Sequence, residues 1–295
     1  MRRDIEFDAE GTTLRGWLVT PDAGGGPFPT VVMAHGFSAV KEMFLDRYAE
    51  RFADAGVASI VYDNRNFGAS DGQPRQEIDP WAQVRDYRHA LTFATTLAEV
   101  DAGRLGVGFQ LLRGPRVGGG RHRSAGAGGG VPGAGHLRLA QRGPPRPRRP
   151  HRLLPGAVRC RPRRPLPGRA AAMVPVVAEG MFDPCALPTP DSWQWFTEAG
   201  RTIAPSWRNE VTLRSVEMLT EYEPGVYVPR ISPTPLLMVI GARDHLTVAD
   251  EALAAYNQAL EPKRLLLVEG GHFDVYTEAF EQTAGAAAGW FAEHL

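Results

Sequence analysis

Three short glycine-containing sequences carry groups that could perform acyl-transfer chemistry, and each directly follows an apolar run. The three are His35-Gly-Phe37, Gly241-Ala-Arg-Asp244 and Gly270-Gly-His-Phe273. A carboxylate such as Asp244 can orient a histidine and stabilise its charged form, and a neutral imidazole such as that of His272 suits a general base. A glycine before Phe37 permits a sharp turn that leaves the N–H of Phe37 available to an oxyanion.

Each of these features also has a plain structural explanation. Gly36 could simply turn a strand into a loop, Asp244 could cap the next helix, and a lone histidine is more often structural than catalytic. An aspartate and a histidine at the ends of two successive strands are much less common by chance. The pair therefore favours a catalytic interpretation.

The elements that must position these groups alternate between strands and helices. Hydrophobic periodicity predicts strands at 13–19, 30–34, 57–62, 104–107, 235–240 and 264–268. It predicts helices at 44–55, 80–97, 213–219, 249–260 and 276–294. This alternation indicates an α/β fold with a parallel sheet and helices on both faces. Catalytic groups of such sheets gather at the carboxyl ends of the strands, where all three sequences lie.

Two longer motifs extend the pattern to a known family. Ala34 to Met43 reads AHGFSAVKEM, and Tyr62 to Gly72 reads YDNRNFGASDG. Together with the later acid and histidine, whose order matches a Ser–acid–His triad, they resemble the serine α/β-hydrolases, in particular the bacterial esterase-like branch near the dienelactone hydrolases and acyl-peptidases. The resemblance covers residues 1–107 and 173–295. It implies a single α/β-hydrolase domain over 1–295, with a mostly parallel central sheet and helices on both faces.

The resemblance also implies roles for individual residues. Asp244 would be the acid that orients the base, His272 the base, and the N–H of Phe37 one half of the oxyanion hole. Asp63 and Arg65 match a family loop that we interpret as structural. No metal or organic cofactor is implied, and the substrate would be a small acyl or ester compound.

The stretch 180–225 occupies the place of a lid over the substrate pocket in this family. Its Trp193, Trp195 and Phe196 would line an apolar acyl site. These side chains could equally pack the lid onto the body of the enzyme, and the two roles are compatible.

The overall composition is that of an ordinary soluble protein, but it conceals two different kinds of sequence. The 295 residues include 33 basic and 33 acidic side chains, so the formal charge is zero. Residues 108–172 hold 15 of the arginines, 14 of the glycines and 10 of the prolines, and no lysine, aspartate or glutamate. The rest of the chain has 18 basic and 33 acidic residues and a net charge of −15.

Several classes of protein are excluded by the composition. Two cysteines, Cys160 and Cys185, offer neither a disulfide framework nor a metal cluster. No apolar run is long enough to span a bilayer, and the first residues lack the apolar region of a signal peptide. We therefore expect no membrane association and a cytoplasmic location. The oligomeric state and the identity of the substrate cannot be deduced from the sequence.

The basic block stands where the family has its nucleophile. A serine is expected after the strand that starts at Arg104, within a Gly-x-Ser-x-Gly turn. The chain instead continues from Val107 as GFQLLRGPR, and its next serine is Ser124. The nucleophile is missing, and its expected place is near Gln110.

A shift of reading frame would account for this block, because arginine, glycine, proline and alanine are the residues of GC-rich codons. When each codon takes the last two bases of one and the first base of the next, the codons of residues 108–116 permit Gly-Ser-Ser-Tyr-Ser-Gly-Gly-His-Val. The same shift over residues 123–134 permits Asp-Arg-Arg-Val-x-Ala-Val-Val-Ser-Gln-Val-Pro, which contains an apolar strand. We therefore hypothesise that residues 108–171 are a frameshifted segment between two compensating insertions or deletions.

Three functions follow from these alternatives. The first is a carboxylic ester hydrolase, impaired as written by the lack of a serine. The second is a thioester hydrolase or acyltransferase of the same fold. The third takes the basic block as written, as a disordered segment that binds nucleic acid by charge; we favour the frameshift over this third alternative.

Overall fold

The computed structural model describes residues 1–22, 24–108, 171–180 and 182–295. The chain divides into two compact units, the first formed by Met1–Gly114 with Pro162–Leu295 and the second by Pro115–Arg161. The second unit lies outside the described residues, as do Gln110, Ser124 and Cys160. The fold given below is therefore that of the first unit, and the predicted organisation of residues 108–171 stays a prediction.

Nine strands and six α-helices are present in the described ranges. The strands are β1 (Arg2–Ala9), β2 (Thr12–Val19), β3 (Phe28–Ala34), β4 (Ala58–Tyr62), β5 (Val100–Gly108), β6 (Met173–Val174), β7 (Val211–Thr212), β8 (Leu236–Gly241) and β9 (Lys263–Val268). The helices are α1 (Leu45–Asp54), α2 (Pro80–Ala94), α3 (Pro190–Thr202), α4 (Leu213–Glu221), α5 (Ala249–Gln258) and α6 (Phe280–His294). Two 3₁₀ segments, Pro224–Arg230 and Asp274–Tyr276, complete the secondary structure.

Five strands form a mixed sheet in the order β1-β2-β4-β3-β5. The β1–β2 and β2–β4 pairs are antiparallel, whereas β3 runs parallel to both β4 and β5. β8 and β9 form a separate parallel pair, and β6 and β7 a short antiparallel one. In the part of the chain that the structure describes, β5 pairs with β3 only, and β8 with β9 only.

Helices cover both faces of the five-stranded sheet. Alternate residues of a strand point to opposite sides, and the central strands carry apolar side chains on both sides. On one face, Val31 and Val61 join a hydrophobic cluster with Phe52 of α1 and Ala288 of α6. On the other face, Val32 and Ile60 join a second cluster with Ala90 and Ala94 of α2. The short β3, which is apolar apart from Thr30, is thus buried from both sides, as expected for a central parallel strand. The expected α/β fold is confirmed.

The predicted helices and strands are found with shifts of a few residues at their ends. Two elements, β1 and α3, were not predicted. β1 buries Ile5, Phe7 and Ala9 on one face, a period of two that is visible in the sequence. α3 begins at Pro190, where proline is favoured at the first helical position. The last helix starts at Phe280 instead of 276, because the chain first makes the 3₁₀ turn Asp274–Tyr276.

The stretch 180–225 contains α3, β7 and α4 in its described part. Trp195 and Phe196 of α3 are buried in the same hydrophobic cluster as Phe37 and Phe273. The assignment of this stretch as a lid stays a prediction. No helix in the described ranges is both long enough and apolar enough to cross a membrane.

Candidate active site

Asp244 and His272 meet beyond the carboxyl ends of two neighbouring parallel strands. β8 ends at Gly241 and β9 at Val268, and these two residues are partners in the strand register. Nδ1 of His272 lies 2.7 Å from Oδ2 of Asp244, and both side chains are buried. This contact fixes the proton on Nδ1 and leaves Nε2 as the proton acceptor of the ring, which is the arrangement of a general base.

Glycines let the two loops approach this closely. A Cβ atom on Gly241 would lie 2.6 Å from the carbonyl oxygen of Gly271, so a larger residue would force the two loops apart. Gly270 has a φ of 154°, a conformation that side chains disfavour, and its carbonyl accepts the N–H of Arg243 at 2.7 Å. The glycines of both sequence motifs therefore allow Asp244 and His272 to meet.

Thr247 holds the carboxylate of Asp244 in place and was not identified from the sequence. Its hydroxyl donates to Oδ2 of Asp244 at 2.7 Å and lies 3.1 Å from Nδ1 of His272. The other oxygen, Oδ1, accepts the backbone N–H groups of Leu246 and Thr247 at 2.9 and 2.8 Å. Burial acts to raise the pKa of Asp244, but the hydrogen bonds from His272 and Thr247 outweigh it and lower that pKa.

The loop after β3 presents the N–H of Phe37. The neighbouring N–H of Gly36 donates to Nδ1 of His35 at 3.0 Å, so it is already engaged. The N–H of Phe37 makes no hydrogen bond to any residue that the structure describes. Ser38, which follows, has a φ of 59° and marks the sharp turn that the sequence predicts here.

His35 stabilises this loop as a neutral ring. Its Nε2–H donates to the carbonyl of Met43 at 2.7 Å, and its Nδ1 accepts from Gly36, so one tautomer satisfies both contacts. Burial lowers the pKa of His35 to about 4, against the effect of the Met43 carbonyl, and the nearby His272 lowers it further. His35 is therefore uncharged at neutral pH, and the charge of the site is left to Asp244 and His272.

Residues of the loop after β4 form hydrogen bonds and an ion pair with the loop that contains Phe37. Asn64 donates from Nδ2 to the carbonyl of His35 at 2.7 Å. Asp63 is buried, accepts the backbone N–H of Lys41 at 2.8 Å and pairs with its Nζ at 2.7 Å. The guanidinium of Arg65 donates two hydrogen bonds to the carboxylate of the buried Asp86 of α2. These contacts agree with the structural interpretation of Asp63 and Arg65, and they add Asn64 as a residue that the sequence analysis did not single out.

Tyr87 of α2 ties together the ends of two strands beside the site. Its hydroxyl lies 2.9 Å from the N–H of Ala34, where β3 ends, and 3.0 Å from the carbonyl of Gly108, where β5 ends. Burial raises the pKa of this phenol, so it stays protonated and can donate. The expected nucleophile near Gln110 would follow β5 directly, but it lies outside the described residues.

A small apolar cavity adjoins these groups. Its volume is about 10 Å³, room for about one water molecule. The lining residues are His35, Phe37, Ala39, Leu187, Trp195, Phe196, Leu246, His272, Phe273 and Tyr276. Two of the three predicted acyl-site residues, Trp195 and Phe196, are therefore at the cavity. Trp193 is half-buried and packs against the hydrophobic cluster instead.

Similar proteins show the class to which this fold and site belong. No protein-family model matches the sequence. The chain is 31% identical over 286 residues to a thiohydrolase of Eupenicillium brefeldianum, which covers 94% of this chain and 89% of that protein. Among solved structures, the α/β hydrolase GrgF from a Penicillium species matches with a TM-score of 0.73 and 21% identity over 100% of this chain and 99% of that one. The chain belongs to the α/β-hydrolase superfamily, as the sequence motifs indicate.

Two more similar proteins match over the whole length of this chain. The polyketide transferase af380 of Aspergillus fumigatus is 29% identical over 301 residues and covers 100% of this chain and 99% of its own. The structure of DcsB with its substrate analogue matches with a TM-score of 0.76 at 21% identity, over 100% of both chains. Relatives of this chain are thus thiohydrolases and polyketide transferases, and they support a hydrolase or acyltransferase role.

Proposed function

We propose that this chain derives from a serine hydrolase that cleaves an acyl thioester, with a carboxylic ester as the alternative substrate. The hydrogen bond of 2.7 Å between Asp244 and His272, next to an apolar cavity and the N–H of Phe37, is the observation that carries the proposal. The sequence motifs resemble those of esterases, but a relative that matches over nearly its full length is a thiohydrolase, and this supports the thioester as the first substrate class.

The proposed reaction runs in two steps. A serine hydroxyl attacks the acyl carbonyl carbon while Nε2 of His272 takes the hydroxyl proton, and the carbonyl oxygen becomes an oxyanion. The N–H of Phe37 and the N–H after the nucleophile receive that oxyanion. The C–S bond breaks, the thiol leaves with the proton from His272, and water activated by the same ring then releases the acid. Asp244 holds the ring and stabilises its charged form throughout.

The chain as written has no serine at the expected place near Gln110. We propose that a frameshift in residues 108–171 removed it. Without the nucleophile we expect little or no turnover, because loss of one member of a triad costs several orders of magnitude in kcat.

The test compares the chain as written with a frame-corrected chain in which Gly-Ser-Ser-Tyr-Ser-Gly-Gly occupies residues 108–114, from the last residue of β5 onward. Octanoyl-N-acetylcysteamine and p-nitrophenyl octanoate serve as thioester and ester. The corrected chain should hydrolyse the thioester faster, and His272→Ala or Asp244→Ala in it should lower kcat by about 10³–10⁴-fold. His245→Ala is the matched control, since that exposed histidine is next to Asp244 in sequence.

Two outcomes would contradict the proposal. The first is turnover by the chain as written at ordinary enzyme rates. The second is a corrected chain that folds but hydrolyses neither substrate. Salt-dependent binding of nucleic acid by the chain as written would instead favour a role for the basic block as it stands.

A further inference from the structure

The hydroxyl of Tyr87 joins the carboxyl ends of β3 and β5, the two strands that lead into the proposed site. It accepts the N–H of Ala34 at 2.9 Å and donates to the carbonyl of Gly108 at 3.0 Å. β3 and β5 run parallel, and Met33 and Gly108 are the last partners in their register. Ala34 follows this pair, so the hydroxyl bridges the two strands at the point where their direct pairing ends.

The position of this hydroxyl is fixed by contacts of α2 with β4 and with the loop after β4. The ring of Tyr87 meets the ring of Tyr62 on β4 edge to face, and the two ring centres are 5.6 Å apart. The preceding residue, Asp86, accepts two hydrogen bonds from Arg65 in the loop after β4. These contacts leave the phenol little freedom, as a group that positions other groups requires.

The two strand ends lead to the groups that would receive the oxyanion. The N–H of Phe37, three residues after Ala34, is one proposed donor. The other is the N–H after the nucleophile, which is expected shortly after Gly108. Both donors must lie about 2.7–3.1 Å from the same oxygen atom in the transition state. The spacing between the ends of β3 and β5 therefore decides whether one oxyanion can reach both donors.

We propose that Tyr87 is a positioning residue of the reaction, whose hydroxyl sets the spacing between the N–H of Phe37 and the nucleophile. The inference rests on the proposed function. The carbonyl oxygen of the substrate gains its negative charge only as the serine attacks, so a wrong spacing weakens the transition state more than the bound substrate. Loss of the hydroxyl should therefore lower kcat and leave KM nearly unchanged.

Tyr48 of α1 provides a matched control. Its hydroxyl donates to the carbonyl of Val275 at 2.7 Å and lies 2.7 Å from Oγ1 of Thr283. Both phenols are half-buried, and replacement by phenylalanine removes a hydroxyl with two such contacts in each case. The contacts of Tyr48 lie just before α6 and within it, away from the ends of β3 and β5. A purely structural role would therefore give similar results for the two variants.

The first experiment places Tyr87→Phe and Tyr48→Phe in the frame-corrected chain, with octanoyl-N-acetylcysteamine as substrate. The inhibitor 1,1,1-trifluoro-3-(octylthio)propan-2-one probes the oxyanion directly, because addition of the serine to its carbonyl forms an oxyanion that expels no leaving group. Tyr87→Phe should lower kcat by about 10–100-fold and change KM by less than about 3-fold. The Ki of the inhibitor should rise by about the same factor as kcat falls. Tyr48→Phe should leave kcat and Ki within about 2-fold of the corrected chain.

The second experiment uses the full chain as written and needs no nucleophile. In the ¹⁵N-labelled chain, Tyr87→Phe should move the amide signals of Ala34 and Phe37, because the acceptor of the Ala34 N–H is lost. Tyr48→Phe should leave both signals in place. Unmoved signals in Tyr87→Phe would show that the hydroxyl does not position the Phe37 loop, and would overturn the inference.

Three kinetic outcomes also overturn it. An unchanged kcat for Tyr87→Phe refutes the inference while the proposed function stands. A lower kcat with an unchanged Ki means that fewer molecules are folded, since a smaller active fraction does not alter Ki, and the role of Tyr87 is then structural. Equal losses for Tyr87→Phe and Tyr48→Phe have the same meaning. A corrected chain that is itself inactive contradicts the proposed function, and the inference fails with it.

Discussion

Thr247 links Asp244 and His272 through one hydroxyl, which donates to Oδ2 of Asp244 and lies 3.1 Å from Nδ1 of His272. Both oxygens of the Asp244 carboxylate thus accept hydrogen bonds, and the pKa of Asp244 is lowered. A group whose pKa is lower in the folded state stabilises the fold above its unfolded pKa, about 4 for aspartate. That stabilisation is lost as the pH falls through the folded-state pKa.

Replacement of Thr247 by valine should therefore act in a pH-dependent way. We expect the free energy of unfolding to fall by about 1–2 kcal/mol at pH 7, because a hydrogen bond to a charged carboxylate is removed. The loss should shrink as the pH falls from 7 to 3, because Asp244 of the variant lacks this hydrogen bond and is protonated at a higher pH than Asp244 of the native chain. Urea denaturation at both pH values measures the difference.

Thr220→Val is the control, since that hydroxyl donates only to the carbonyl of Glu217 on the exposed face of α4. It should show no such pH dependence. An equal loss at pH 7 and pH 3 for Thr247→Val would mean that the hydroxyl acts by packing and does not stabilise the charge on Asp244.

At the scale of elements, two glycines in helices differ in the space that surrounds them. A Cβ atom on Gly200 of α3 would lie 2.7 Å from Cε3 of Trp207, whereas a Cβ atom on Gly289 of α6 would meet nothing within 4 Å. Alanine is the better helix former by about 0.5–1 kcal/mol, so the outcome depends on the space at each site.

Gly289→Ala should therefore raise the free energy of unfolding by about 0.5–1 kcal/mol. Gly200→Ala should lower it by about 1–3 kcal/mol, because the new methyl group displaces the Trp207 ring and the Phe196 ring stacked on it. Denaturant midpoints of the two variants measure this. If both variants gain stability, α3 is not packed against Trp207 as described.

At the scale of the whole molecule, the described strands form separate sheets whose edge strands include β5 and β8. β5 and β8 each have one edge without a partner among the described residues, and a groove of about 490 Å³ lies beside them. Its walls include residues 105–107 of β5, Thr234 and Pro235 before β8, and residues of α2 and α6. An additional strand would have a free backbone edge on β5 or on β8 to pair with, which agrees with the proposed frameshift.

Sequencing of the gene should therefore reveal two compensating insertions or deletions that flank the codons of residues 108–171. The corrected chain should be more soluble than the chain as written and unfold cooperatively, because its restored strand covers apolar surface and the two sheet edges. Solubility and thermal unfolding of the two chains measure this. An unchanged reading frame would refute the hypothesis.

Much of the fold could be predicted because burial of a strand or helix leaves a local pattern of apolar residues in the sequence. The apolar run of β3 is short and unbroken because helices bury both of its faces. β1 has a different local signal, an alternation in which Ile5, Phe7 and Ala9 are buried on one face. Asp244 and His272 could be predicted because parallel strands of successive βα units end at one edge of a sheet.

Other parts of the site depend on contacts between distant residues and have no local signal. Asn64 bonds a carbonyl 29 positions away, and Tyr87 joins the ends of β3 and β5 from α2. Nothing in the neighbourhood of either residue distinguishes it in the sequence. The same holds for the difference between Trp195 and Trp193, which are two positions apart on one helix, although only Trp195 is buried at the cavity.

The sequence by itself determined the class of fold, pointed to Asp244 and His272 as candidate catalytic residues, and showed that no serine stands near Gln110. It also revealed the origin of the zero net charge, in which a charge of −15 outside residues 108–172 is cancelled by the basic block. These are properties of residue type, spacing and count. Only the tertiary structure decided that Asp244 and His272 are in contact, that Thr247 supports them, and that Tyr87 bridges the ends of β3 and β5. Distance and burial arise when remote segments pack together, and a linear pattern holds neither.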